Sequence, residues 1–501
     1  MNSYLYARWL FIRILAFGFA AAFLSLFIQI QGLIGPEGIL PAGEFLAGVS
    51  KAYPGFFKFI LAPSLLWINS GPTALYLLCF FGFAAAVLLL FNIWPRLNLF
   101  LCWLFYLSFV SVARNFSGFQ SDGLMLESAL LAIFAAPRGF RPGMGEKSPP
   151  SKIVIFLFWW LLFRLSFESG IGKVLSGDLD WRGLTAMNDY YVNCPFPTWI
   201  GWKIQQFPKV FHSLTVLFVF FCELVCPILI LCGRKARLVA FLSWTVFQIG
   251  ILLTGNYTYL NYNSIALALF LIDDDLFSKI GLKAPVIPDL KPTVLWRKIG
   301  AGIVFSLIIY ISAILFLATL RFPLRMFPSV ILMPVEIFDT FRSANQYGLF
   351  AVMTHARDEI EFEGSDDGGM TWKTYMYKWQ PQQLKVAPRF MAPHLPRFDW
   401  NLWFAALGTY KNYPFVIRTA IRLMEGSGPV ERLFKSNPFP DKPPGMIRFP
   451  LYRYTFTDLK TQRESGNYWW REKIGYYAPT LYVDSSSGTL KMMDPTKEVV
   501  V

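Results

Sequence analysis

The chain has little histidine, and its second half has no cysteine at all. Three histidines, His212, His355 and His394, are the whole complement of 501 residues. An imidazole-rich metal centre is therefore not expected. All six cysteines lie at or before Cys232. The C-terminal part is thus expected to have neither a disulfide nor a thiolate metal site. Charged residues are sparse at 16%. The net charge of +14 is spread over both sides of Leu320, with no basic tract able to follow a phosphate backbone. Nucleic acid is not an expected partner. No small-residue cleavage site follows the first apolar run, which reads as a retained span and not a signal peptide.

What is present is hydrophobicity. Apolar residues make up 55% and aromatics 18%, and the mean hydropathy is +0.43. Runs close to the ~20 residues needed to cross a bilayer recur along the first 320 positions. They predict about nine spans: Phe11–Ile30, Ala74–Trp94, Leu97–Ala113, Asp122–Ala136, Ile153–Gly172, Val210–Cys232, Ala236–Thr254, Tyr259–Ile272 and Ile299–Leu320. With nine spans, Arg8, Arg13, Arg96, Arg138, Arg141, Lys147, Lys152, Arg234, Lys235, Arg237, Lys279, Lys283, Lys291, Arg297 and Lys298 all fall on one side. The positive-inside rule makes that side cytoplasmic. The N-terminus is then inside, and Lys173–Lys209 and everything after Leu320 are outside.

After Leu320 the texture changes. Gln346–Val352, Glu359–Glu363, Trp372–Trp379, Tyr452–Phe456 and Tyr476–Val483 have strand character. Leu402–Leu407 and Phe415–Glu425 have apolar residues at helical spacing. The expected architecture is a polytopic α-helical domain, residues 1–320, followed by a β-sandwich-like extracytoplasmic domain, residues 321–501, carrying a helical insertion.

Charges inside a span are costly, roughly 2.5–3.5 kcal/mol each on insertion scales, so they are paired or functional. Arg164, Glu168 and Lys173 are the strongest candidates. Arg164 and Glu168 are one helical turn apart and can neutralise each other. Lys173 has no partner in register. It can snorkel to the headgroups, pair with Asp178, or act as a desolvated base. Glu127 and Glu223 also sit in predicted spans, where internal pairing and a proton-transfer role are the alternatives. Cys222 and Cys226, one turn apart, read as small core residues. Cys194 is the sole cysteine on the expected outer side, without a resolving partner.

Ser365, Asp367, Gly369, Thr371 and Trp372, in SDDGGMTW, fit the Asp-box pattern. Carboxylate-to-amide bonds, a glycine at positive φ and a packed tryptophan make a stable turn. The reading is structural, with a carbohydrate site as the alternative. His394 in MAPHLPRFDW reads as a packed junction, since no nucleophile elbow accompanies it. Asn115 and Asn256 begin glycosylation triplets that hug the membrane. Trp181, Tyr190, Tyr191, Trp199 and Trp202 are expected to be exposed aromatics that bind clients or float at the interface.

Several segments, in one order along the chain, resemble the lipase maturation factor family. They include Leu24–Ala42 (LSLFIQIQGLIGPEGILPA), Asn115–Phe134, Leu161–Tyr191 (LLFRLSFESGIGKVLSGDLDWRGLTAMNDYY), Asn345–Lys373, Ala392–Leu407 and Ser436–Pro440. The resemblance implies a multi-pass membrane protein with its C-terminal domain outside, in the endoplasmic reticulum membrane of a eukaryote or the cytoplasmic membrane of a bacterium. It also implies a role in maturing exported proteins, secreted lipases above all. No cofactor is expected. The chain is compact beside the animal members and lacks a KDEL-type ending. More distantly, GIGKVLSGDLDW resembles the lysine-containing segment of vitamin K-dependent carboxylase-like membrane proteins. That likeness keeps an alternative open: a membrane enzyme acting on a lipid or quinone-like substrate, with Lys173 as base and Glu168 or Arg164 beside it.

Overall fold

The computed structural model describes residues 3–283, 286–288, 295–484 and 487–494. Of the basic residues used above, Lys291 lies outside the described residues, as do the side chains of Arg297 and Lys298.

Nine of the helices in the first part follow the predicted spans: α1 (Leu5–Ile34), α2 (Pro72–Leu90), α3 (Pro95–Val110), α4 (Gln120–Ala135), α5 (Lys152–Ser176), α6 (Lys209–Leu231), α7 (Arg234–Thr254), α8 (Tyr259–Ala268) and α9 (Leu295–Thr319). Among the described residues, α1, α2, α5, α6, α7 and the Ile299–Thr319 part of α9 are long and apolar enough to cross a membrane. The helices α3 and α4 have 16 residues each. At about 1.5 Å per residue they reach roughly 24 Å, short of a ~30 Å hydrocarbon core. By length and composition, then, six of the nine predicted spans qualify.

The sequence sets the ends. Pro72 and Pro95 open α2 and α3, where a missing amide costs nothing. Ser151 caps α5 by accepting from the Val154 amide, and Gly177 ends it at φ +79°, a left-handed C-cap suited to glycine. In α6 the ladder widens to a π-turn over Phe221–Val225, directly before Pro227. Proline cannot donate to the carbonyl of residue 223, so the helix reorganises there.

α1 lies against α2, α4 and α8. Gly82 of α2 admits the Phe23 ring, which a Cβ would meet at 2.3 Å. The basic loops gather at one end of the bundle. The Arg8 guanidinium donates to the carbonyls of Ala135, Met144 and Ser148, Arg96 donates to Ala136, and Asp274 accepts from the amides of Leu5 and Tyr6.

The C-terminal part sits at the opposite end. After α10 (Ser329–Asp339) come β1 (Arg357–Ile360), β2 (Glu363–Ser365) and β3 (Lys373–Thr374). Two helices follow, α11 (Arg397–Ala406) and α12 (Phe415–Met424), then β4 (Met446–Arg448), β5 (Pro450–Phe456), β6 (Trp469–Tyr476), β7 (Thr480–Val483) and β8 (Leu490–Met493). The strands make two antiparallel sheets, ordered β1-β5-β6 and β3-β2-β4-β7-β8. The helical insertion falls between β3 and β4. Two strand expectations are corrected. Gln346–Val352 is an extended, turn-rich strap, because its amides and carbonyls bond to membrane helices and not to a sheet. Trp372–Trp379 keeps only β3.

Candidate functional site

The charged residues of α5 are organised around the strap, residues 345–353. The Arg164 guanidinium pairs with Glu127 of α4 and donates to the Asn345 carbonyl at 2.9 Å. Glu127 also accepts from the Asn345 amide at 2.9 Å and the Tyr347 hydroxyl at 2.9 Å. Glu168 accepts from the Tyr347 amide at 2.7 Å. Lys173 Nζ donates to the Leu349 carbonyl at 3.0 Å. Trp181 Nε1 donates to the Phe350 carbonyl at 2.9 Å. Asp178 caps the short helix Leu179–Arg182 and accepts from the Met353 amide at 2.9 Å. One extended segment thus meets five successive polar groups down one face of α5 and its continuation.

Two pairings read from spacing are replaced. Arg164 does not use Glu168 for its hydrogen-bonded ion pair; it uses Glu127, which α4 presents side-on. Lys173 neither snorkels nor pairs with Asp178. It is buried and paired with Glu223, with Nζ 3.0 Å from Oε1 and 2.8 Å from Oε2. It also lies 5.1 Å from the centre of the Trp181 ring. Its three donor contacts go to Glu223, Leu349 and the Ser169 carbonyl. A general base needs a lone pair aimed at its substrate, and here Nζ is surrounded by acceptors.

The expected aromatic surface is corrected as well. Trp181, Tyr190, Tyr191 and Trp202 are all buried, because α6, the strap and the C-terminal part together enclose them. Trp202 packs on Tyr468 and Tyr190 on Phe350. Trp199 alone is exposed, at 41%, beside Phe390 and Lys203. Cys194 is buried, and burial pushes its thiol up to about 12. That places it among unreactive thiols. Cys222 and Cys226 are buried.

Two latches were not foreseen. Arg397, at the start of α11, reaches into the bundle and donates to both Asp122 oxygens, at 2.7 and 2.9 Å, and to the hydroxyls of Tyr106 and Tyr259. All four side chains are fully buried. Arg357 of β1 donates to the carbonyls of Val192, Cys194 and Pro195. Asn256 is no glycosylation site in the fold. It is 1% exposed, and its amide binds the Phe196 and Arg389 carbonyls and the Met391 and Ala392 amides. The signal in the sequence was an arginine abutting an apolar helix, in HLPRFDW.

The Asp-box residues close their own turn. Asp367 Oδ1 accepts from the Thr371 amide at 2.9 Å, Ser365 accepts from the Gly369 amide at 2.9 Å, and Gly369 has φ +94°. Those hydrogen bonds hold the Asp367 carboxyl below its usual range. Trp372 lies under the Arg448 guanidinium at 4.1 Å. His394 bonds Ser25 of α1 at 2.8 Å, a junction contact.

Beside the Lys173–Glu223 pair is a cavity of about 260 Å³, walled by α5, α6, α7, α8 and the strap. It is mostly apolar, with Gln248, Asn261 and Ser264 among its polar lining.

Membrane-length helices latched to a two-sheet C-terminal part through buried charges define an integral membrane protein. Residues 6–279 match the family model described as lipase maturation factor transmembrane domain, and residues 343–479 match the lipase maturation factor C-terminal domain. The chain belongs to the lipase maturation factor family. It is 30% identical over 586 residues to Lipase maturation factor 2 of Gallus gallus, covering 95% of this chain and 81% of that protein. It is 29% identical over 505 residues to Lipase maturation factor 1 of Mus musculus, covering 95% and 87%. Against Lipase maturation factor 2 of Homo sapiens it is 29% identical, covering 99% and 84%. No solved structure matches the chain.

Proposed function

We propose that the chain is a membrane-anchored maturation factor that helps exported proteins, secreted lipases first among them, reach their active fold. The match of both family domains along one chain carries this reading. The fate of the intramembrane charges supports it: Arg164, Glu168 and Lys173 are engaged in holding the strap. The clients would meet the outer face at Trp199, Phe390 and Trp470, which are exposed large aromatics of that face.

The proposed topology has nine crossings, an inner N-terminus and an outer C-terminal domain, residues 321–501. The C-termini of α1, α3, α5 and α7 and the N-termini of α4 and α8 all contact the C-terminal part, through Ser25, Phe109, Lys173, Asn256, Asp122 and Tyr259. That alternation and the basic loops at the other end support an odd number of traverses. Six crossings would put both termini on one side. The membrane would be that of the endoplasmic reticulum in a eukaryote, or the cytoplasmic membrane in a bacterium.

The deciding experiment is the specific activity of secreted lipase in cells with and without this gene, with total lipase protein quantified alongside. Lower activity per molecule at unchanged synthesis is expected without the gene. Unchanged activity per molecule overturns the lipase reading and returns weight to the membrane-enzyme alternative.

A further inference from the structure

We propose that the cavity beside Lys173 and Glu223 is a lateral binding site for a single-chain amphiphile with a neutral, hydroxyl-bearing head, of the monoacylglycerol type. The inference is independent of the client reading.

The mouth faces lipid. Phe211 of α6 and Val246 and Gly250 of α7 line the cavity and are also exposed at the protein surface. Both helices are of membrane-spanning length and character. The opening therefore lies between two helices whose outer faces meet acyl chains, and the apolar wall suits one such chain. At about 260 Å³ the space is just below the ~300–1,000 Å³ of usual ligand cavities, room for a head and part of one chain with the rest lying in the mouth.

The polar wall selects the head. Among the described residues its only charged ones are Lys173 and Glu223, which neutralise each other at 2.8 Å. No surplus positive charge awaits a phosphate or carboxylate, and no surplus negative charge awaits an amine. Asn261 Oδ1 is a buried acceptor of the lining without a donor. Asn261 is more than nine-tenths buried, so the unfilled acceptor carries a desolvation cost. The Asn261 amide is oriented by its bond to Gln248 Oε1 at 2.8 Å. This buried acceptor needs a donor. A hydroxyl head supplies it, whereas a quinone or ester carbonyl offers only further acceptors. The π-turn carrying Glu223 is a local irregularity of the kind that often marks ligand sites.

The test uses the full-length protein in phosphatidylcholine nanodiscs and a monoacylglycerol bearing a diazirine near the middle of its chain. After photolysis, labelled peptides are mapped by mass spectrometry. Labelling is expected on the cavity faces of α6 and α7, near Phe218, Phe247 and Ile251. Excess unlabelled monoacylglycerol should compete it at least tenfold better than the matching fatty acid or a quinone. Gly250→Phe is the blocking variant. Gly250 lines the cavity at its exposed edge, and a Cβ there meets nothing within 4 Å, so the added side chain starts from open space. It should cut cavity labelling at least fivefold with the melting curve unchanged. Gln248→Leu should weaken competition by the monoacylglycerol and leave that of the fatty acid alone. Three results overturn the proposal: labelling confined to exposed helix faces and indifferent to Gly250→Phe, which means annular lipid; no label in the cavity, which means water fills it; or equal competition by quinone or fatty acid.

Discussion

Arg397 of the C-terminal part and Asp122 of α4 form a two-pronged ion pair, 2.7 and 2.9 Å long, inside the helical bundle. They are 275 residues apart in the chain, and neither touches solvent. The pair makes the two parts of the molecule one cooperative object.

Arg397→Met should therefore unfold more than α11. It leaves a buried carboxylate without its cation, a change that costs about 3–5 kcal/mol. We expect a large fall in melting temperature and in purified yield. Adding Asp122→Asn to Arg397→Met should recover much of the loss, because the uncompensated charge is gone. Thermal denaturation of the detergent-solubilised variants distinguishes this from a simple packing defect, which the second substitution would not repair.

Gly170 sits where α5 crosses α6. A Cβ there would lie 2.8 Å from Glu223 Cβ and 2.8 Å from Leu224 Cδ2. Gly170→Ala should force the helices apart, strain the Lys173–Glu223 pair and cost about 1–3 kcal/mol. A melting curve no different from that of the parent chain would contradict the close crossing.

Stability of the C-terminal part should depend on pH in two opposed ways. Burial raises the Asp399 carboxyl to about 7, and Glu359 likewise to about 7. An acid with a raised folded pKa stabilises most below its unfolded value near 4, and that contribution is lost as pH rises towards 7. Burial, with Lys378 nearby, lowers His394 to about 4. Its contribution is present above about 6.5 and is lost as pH falls from there towards 4. Asp399→Asn should flatten the carboxylate part, so that stability of the variant changes less between pH 5 and 8. Hydrogen exchange in residues 357–483 of the full-length protein reads this directly.

Endoglycosidase treatment should leave Asn256 unaltered in mobility assays, since the side chain is enclosed. Asn256→Ala should lower yield, because the Arg389 carbonyl and the Met391 and Ala392 amides lose their partner. A mobility shift that disappears with Asn256→Gln would contradict the buried placement.

The sequence was most informative where the physics is local. Apolar runs located every long helix, and the basic loops were found together at one end. The turn at Ser365–Trp372 formed from its own side chains. It was least informative where a partner comes from far away. The Arg164–Glu168 spacing satisfies a helix rule, yet Glu127 wins because an adjacent helix brings it into hydrogen-bonding range. Trp181, Tyr190, Tyr191 and Trp202 read as exposed because nothing in their own stretch announces the cover laid on by Phe350 and Tyr468. A short strand such as β4 is set by its neighbours in the sheet, and three residues hold too little pattern to find it.

The strap has a consequence for the order of synthesis. Lys173 and the carbonyl it holds are 176 positions apart. At about 5–20 residues per second, a ribosome needs roughly 10–35 s to travel that distance. For that interval α5 is already made while the segment that will seal its polar face does not yet exist. Any transcript cut short before residue 345 ends in that unsealed condition for good, displaying to the cell's quality control a helix whose carboxylate and ammonium were meant for a chain that never arrived.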